Sequence, residues 1–107
     1  MVGVSGRKVP VGQANGPDVE LIVSGTEFYA TYETVEGFPA VYDDALGLFC
    51  YARVVDGSYE STGVPVTAAT PSGVQRHAVE SDQVRAAKIS QRSLQMERRA
   101  QKTKRED

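Results

Sequence analysis

The sequence predicts an α+β fold: a small antiparallel β-meander of about four strands, followed by one C-terminal α-helix. Three observations predict it. The stretch 25–52 holds all three Phe and four of the five Tyr, so it carries nearly the whole aromatic core of a 107-residue chain. Turn residues punctuate that stretch at short intervals, as a meander requires. Residues 82–100 then contain no Gly or Pro and many good helix formers.

Each element has its own warrant. Residues 1–17 contain four Gly and two Pro among few large apolar groups. They bury too little surface to offset their ordering entropy, and a flexible N-terminal arm is expected. Asn15-Gly16-Pro17-Asp18 is a dense turn signal. Val19, Leu21 and Val23 alternate in 18–23, which suits a strand with one buried face, and Ser24-Gly25 breaks that run. Residues 26–35 are aromatic and β-branched and read as a second strand. Its charge-free face, Phe28, Ala30, Tyr32 and Thr34, is the expected core face; Tyr29 falls on the other. Glu36-Gly37 turns into a third strand, 38–42, which Pro39 places at an edge or a bulge.

Asp43 to Gly47 has the pattern of a type I turn closed by a Gly bulge, leading into a fourth strand, 48–54. Asp56-Gly57 is a further turn signal, and a short strand could return through Tyr59 or Val64–Val66. Residues 68–80 read as a linker. Ser81 resembles an N-cap, with Asp82 suited to the positive end of a helix over 81–101. The helix's apolar stripe is thin, with Ala86, Ile89, Met96 and Ala100 near one face and Leu94 to the side. Residues 102–107 are expected to fray. The organisation is thus arm 1–17, meander 18–67, linker 68–80, helix 81–101 and tail 102–107.

Composition narrows the function. At 40% hydrophobic and 24% charged the chain is ordinary for a soluble domain. No apolar run reaches the ~18–20 residues that span a bilayer, and the N-terminus lacks a signal-peptide core. A cytoplasmic location is the default expectation, with no membrane partner. A single Cys excludes an intrachain disulfide and a cysteine-built zinc site, and a single His excludes an HExxH helix. No cofactor is expected. Residues 1–75 carry three basic against nine acidic residues, a balance of −6, whereas 76–107 carry nine against five, a balance of +4. An acidic body and a basic tail imply two different surfaces. The basic residues are spread around the helix and diluted by acids, which speaks against nucleic acid as the partner. Asp43 and Asp44 could approach a calcium ion, but two adjacent carboxylates are ordinary turn chemistry.

In order along the chain stand a Pro17-Asp18 turn and a strand, then Gly25-x-Glu27-Phe28-Tyr29. Tyr32-Glu33-Thr34-x-x-Gly37, an Asp43-x-x-x-Gly47 hairpin and Cys50-Tyr51-Ala52 follow. After the linker come Arg76-His77, Glu80-Ser81 and Val84-Arg85. Over roughly Val11 to Arg99 this series resembles the segment preceding the catalytic domain of immune inhibitor A-like zinc metalloproteases. The family's HExxH helix is not in this chain, so no catalytic residue carries over. The resemblance implies a propeptide-like module that packs on a protease domain and assists its folding or covers its cleft.

On that reading Cys50 and His77 are candidates to ligate a partner's zinc. A pro-segment thiolate can take the open position of a catalytic zinc and expel its water. The plainer reading makes Cys50 a small buried hydrophobe and His77 a surface residue. Phe28, Tyr29, Tyr32, Tyr42, Phe49 and Tyr51 on the sheet, with Ile89 and Met96 on the helix, are the candidate interaction surface. The alternative function is a small structural or assembly protein whose helix pairs with itself or with a larger particle. An independent enzyme ranks last, because acid–base or nucleophilic chemistry needs convergent groups.

Overall fold

A computed structural model describes the backbone of residues 4–26 and 28–105 and the side chains of residues 6–26 and 28–95. It contains one six-stranded antiparallel sheet and one helix, so the α+β class holds with two strands more than expected. The strands run β1 (Val4–Gln13), β2 (Gly16–Thr26), β3 (Tyr29–Glu33), β4 (Pro39–Asp43), β5 (Leu48–Val55) and β6 (Ser58–Pro65). They pair in chain order, as a meander with β1 and β6 at its edges. The helix α1 covers Asp82–Arg105.

The first correction concerns the N-terminal arm. Residues 4–13 form β1, paired with β2 from Val4↔Gly25 to Gln13↔Gly16. Its Gly and Pro content argues for mobility only while the segment is alone. Pairing satisfies its backbone groups, and a bulge absorbs Gly6 at φ 64 between Val4 and Arg7. Residues 1–3, 106 and 107 lie outside the described residues. The fraying expected from 102 is not seen as far as Arg105, where α1 ends.

Ser24-Gly25 does not end β2, which continues to Thr26. Gly25, at φ 117, lets the chain pass so close to β3 that a Cβ would stand 2.1 Å from the Tyr29 carbonyl oxygen. Pro39 also departs from expectation, because β4 is interior. It is the first residue of β4, where its missing N–H breaks little of the ladder. The two turn readings are seen directly. Gly47, at φ 68, closes a loop in which Asp43 Oδ1 accepts from Leu46 N. Asp56 and Gly57 both have positive φ, the pair that a two-residue hairpin needs.

Cross-strand partners share a face, so Val11, Val19, Leu21, Tyr32, Ala40 and Phe49 gather on one side of the sheet. The sheet curls until its first hairpin, β1–β2, touches its fourth, β4–β5. Asn15 N donates to Gly47 O at 3.0 Å, Asn15 Nδ2 donates to Leu46 O at 2.8 Å, and Phe49 N donates to Gln13 Oε1 at 2.7 Å. Leu21, Ala40 and Phe49 are buried inside that curl. Tyr32 and Tyr42 pack against Phe49 with ring centroids 5.3 and 5.1 Å apart. Cys50 and Ala52, on the opposite face of β5, are also buried, so this strand is covered on both sides.

Candidate functional site

The segment between the sheet and α1 is held by polar contacts. Tyr51 Oη donates to Ala68 O at 2.7 Å, and Tyr59 Oη donates to Ala78 O at 2.7 Å. Arg76 lies 5.0 Å from the Phe38 ring centroid, within cation–π range. His77 N donates to Gly37 O, and Ser81 N donates to Gly57 O, both at 2.9 Å. Ser81 then caps α1 as expected, its Oγ accepting from Val84 N at 3.2 Å. Asp82 and Arg85 pair in the first turn.

At the end of this segment Glu80 is buried, at 2% exposure. Its Oε1 accepts from Tyr29 Oη at 2.8 Å. Its Oε2 accepts from Ser58 Oγ (3.1 Å), Tyr59 N (2.8 Å) and Lys88 Nζ (2.6 Å). One carboxylate therefore ties together β3, β6 and α1. Burial alone would raise its pKa. The bonds from Lys88, the Tyr59 N–H and Tyr29 outweigh burial and hold it below the ordinary glutamate value. The Tyr29 phenol moves the other way, pushed up by burial and then by Glu80.

Beside Glu80 opens a cleft of about 350 Å³ between β3, β4 and α1. Phe28, Tyr29, Tyr32, Tyr42 and Tyr59 supply its aromatic walls. From α1 come Lys88, Gln91, Arg92 and Gln95, spaced i, i+3, i+4 and i+7 on one helix face. The helix thus turns a polar stripe toward the strands. Ile89 and Leu94, off that stripe, are 40% and 53% exposed.

Of the expected site residues, Phe28, Tyr29, Tyr32 and Tyr42 are brought together in this cleft, whereas Cys50 and His77 are not part of it. Cys50 has 0% exposure, and burial raises its thiol pKa, so it cannot be presented to a partner's zinc as it stands. His77 is exposed, but its Nδ1 lies 3.1 Å from a Glu33 carboxylate oxygen and its ring packs over Gly37. Phe49 and Tyr51 are buried in the sheet and are not interaction surface. Tyr29 and Tyr32 are half-buried cleft residues, as is Phe28, whereas Tyr42 and Ile89 are exposed. The Met96 side chain lies outside the described ones. Ala30, expected in the core, is exposed. Asp43 Oδ2 accepts from Ser61 Oγ at 2.8 Å, which lowers its pKa, and no metal-sized cluster of acids, His or Cys occurs among the described residues.

Glu80, Tyr59 and Lys88 were not among the expected site residues. Glu80 meets partners 51 and 21 residues away in sequence, so no local spacing marks it. No helix among the described residues is long and apolar enough to cross a membrane. Comparison with protein-family models, with curated proteins and with solved structures returns no match.

Proposed function

We propose that this chain is a non-catalytic interaction module whose partner is a zinc metalloprotease domain. The observation that carries the first half is how the reactive side chains are used. Glu80 is saturated by four donors, Cys50 is buried, and His77 is tied to Glu33 and Gly37. What the molecule offers outward is surface, including Val79, Ile89 and Leu94. Exposed apolar groups on a helix and its approach segment suit docking to another protein. The partner's identity rests on the sequence resemblance over Val11 to Arg99.

The test is co-expression with an HExxH protease domain of the immune inhibitor A-like type, then pull-down and a cleavage assay. A stable complex with altered protease activity is expected. No complex together with unchanged activity would count decisively against the reading. The assembly alternative draws on the same exposed Ile89 and Leu94. It predicts a mass by light scattering that grows with concentration when no protease is present.

A further inference from the structure

The cleft between β3, β4 and α1 opens where the sheet comes apart. The β3–β4 ladder contains only Tyr32↔Ala40 and Glu33↔Pro39. Beyond it Tyr29 to Thr31 pair with Thr26 to Ser24 on their far side, and Val41 to Asp43 pair with Cys50 to Leu48 on theirs. Alternate residues of an antiparallel strand direct both N–H and C=O to the same side, so backbone groups of both strands face the opening. Side chains add to this inventory. Thr31, Gln91 and Gln95 stand in the wall, and their side-chain polar atoms have no hydrogen-bond partner among the described residues.

The charges of the lining are already used. Lys88 is paired with Glu80, which accepts four bonds in all, and Arg92 is engaged within the chain. Nothing is left over to select an ion of either sign. The aromatic walls are held in place by their own hydroxyls. Tyr29 Oη donates to Glu80, Tyr59 Oη donates to Ala78 O, and Tyr42 Oη accepts from Ala14 N at 3.3 Å. These rings therefore offer the cleft their π surface, and Phe28 adds a ring with no polar atom.

From these observations we infer that the cleft binds a short neutral saccharide. A sugar ring carries hydroxyls around its rim, each able to donate and to accept, and apolar C–H groups on its faces. The hydroxyls match the mixed donors and acceptors of Thr31, Gln91, Gln95 and the parted strand edges. The C–H groups match the electron-rich faces of the aromatic rings. A volume of about 350 Å³ lies at the lower end of the range for ligand clefts and suits a disaccharide. Two other neutral occupants match fewer of these features. A purely aromatic ligand would leave the polar groups covered and unpaired. An inserted peptide strand needs uniform spacing, whereas this opening is a wedge that starts from the directly paired Tyr32 and Ala40. The inference goes beyond the docking role above and needs no protease.

The probes are maltose, cellobiose and diacetylchitobiose, neutral disaccharides that differ in linkage and substituents. Each is titrated into the isotopically labelled full chain and followed by amide chemical shifts. At least one is expected to saturate at about 1–10 mM and to move the amides of Tyr29–Thr31 and Val41–Asp43. Gln91→Ala and Gln95→Ala, both at exposed helix positions, are each expected to weaken binding about three- to tenfold without changing the far-ultraviolet spectrum. Raising the salt from about 0.05 to about 0.5 M should leave the affinity unchanged, because the complex has no ion pair to screen. Affinity that falls with salt overturns the neutral assignment. Shifts confined to other residues, or full binding by both variants, overturn the placement in this cleft. Complete displacement by an equal concentration of benzyl alcohol shows that ring surface alone is recognised and overturns the sugar. Failure of all the disaccharides to saturate overturns the inference entirely.

Discussion

Replacing Glu80 by glutamine keeps the shape of the side chain and removes its charge. The amide oxygen takes the place of Oε2 and accepts from Tyr59 N, Ser58 Oγ and Lys88 Nζ, while the amide nitrogen donates to Tyr29 Oη, whose hydroxyl turns and accepts. The bonds are kept but lose their charge assistance, which costs about 1–2 kcal/mol in all. The Lys88 contact adds only ~0–1 kcal/mol, because 45% of that side chain meets water. The loss for Glu80→Gln is therefore about 1–3 kcal/mol, a melting point lower by roughly 5–20 °C in a domain of this size. Urea unfolding followed by circular dichroism measures it.

The same substitution tests the pH dependence. The folded Glu80 carboxyl titrates below its ordinary value, so in that interval the unfolded chain holds a proton that the folded chain does not. Stability rises with pH there. It is fully present above the ordinary glutamate range and lost as pH falls through the folded value. Glu80→Gln should flatten this acid limb. Hydrogen exchange should show the α1 amides losing protection first, since α1 meets the sheet chiefly at β3 and through Glu80. A variant within about 0.5 kcal/mol of the parent, or one with an unchanged acid limb, refutes the reasoning.

Other perturbations probe different parts of the fold. Gly25→Ala forces a side chain onto backbone at φ 117, 2.1 Å from the Tyr29 carbonyl oxygen, and should cost about 2–4 kcal/mol in thermal melts; a parent-like melt would show that the β2–β3 approach is looser. Cys50, buried with its thiol pKa raised, should react with dithiobis-nitrobenzoate no faster than the chain opens. Immediate stoichiometric reaction of the native chain would contradict its burial. Tyr29, with its phenol pKa raised by burial and by Glu80, contributes stability that is fully present below the ordinary tyrosine range and declines as pH rises beyond it. Tyr29→Phe should remove that alkaline decline, read by urea unfolding at a series of high pH values.

Much of the local structure was legible because it depends on neighbours in sequence. Asp43 to Gly47, Asp56-Gly57 and the Ser81 cap each make their defining contacts within a few residues, so residue type alone announces them. The arm was misread for the opposite reason. Residues 4–13 have weak intrinsic preference, and their strand exists because β2 lies beside them. The core face of β3 was legible only in part. Tyr32 and Thr34 go inward as alternation demands, but the parting of β3 from β4 leaves Ala30 exposed, and Glu80 covers Tyr29 from the other side.

The sequence by itself determined the class of the fold, the turns at Asp43 to Gly47 and at Asp56-Gly57, and the start of its helix, since these follow from side-chain periodicity and backbone preference over short spans. Only the tertiary structure decided that the sheet has six strands and curls onto itself. Only it placed Glu80 under four donors drawn from three elements, and opened a polar-rimmed cleft where β3 and β4 separate. Those features join residues tens of positions apart. They arise from which surfaces meet, and no local pattern encodes that.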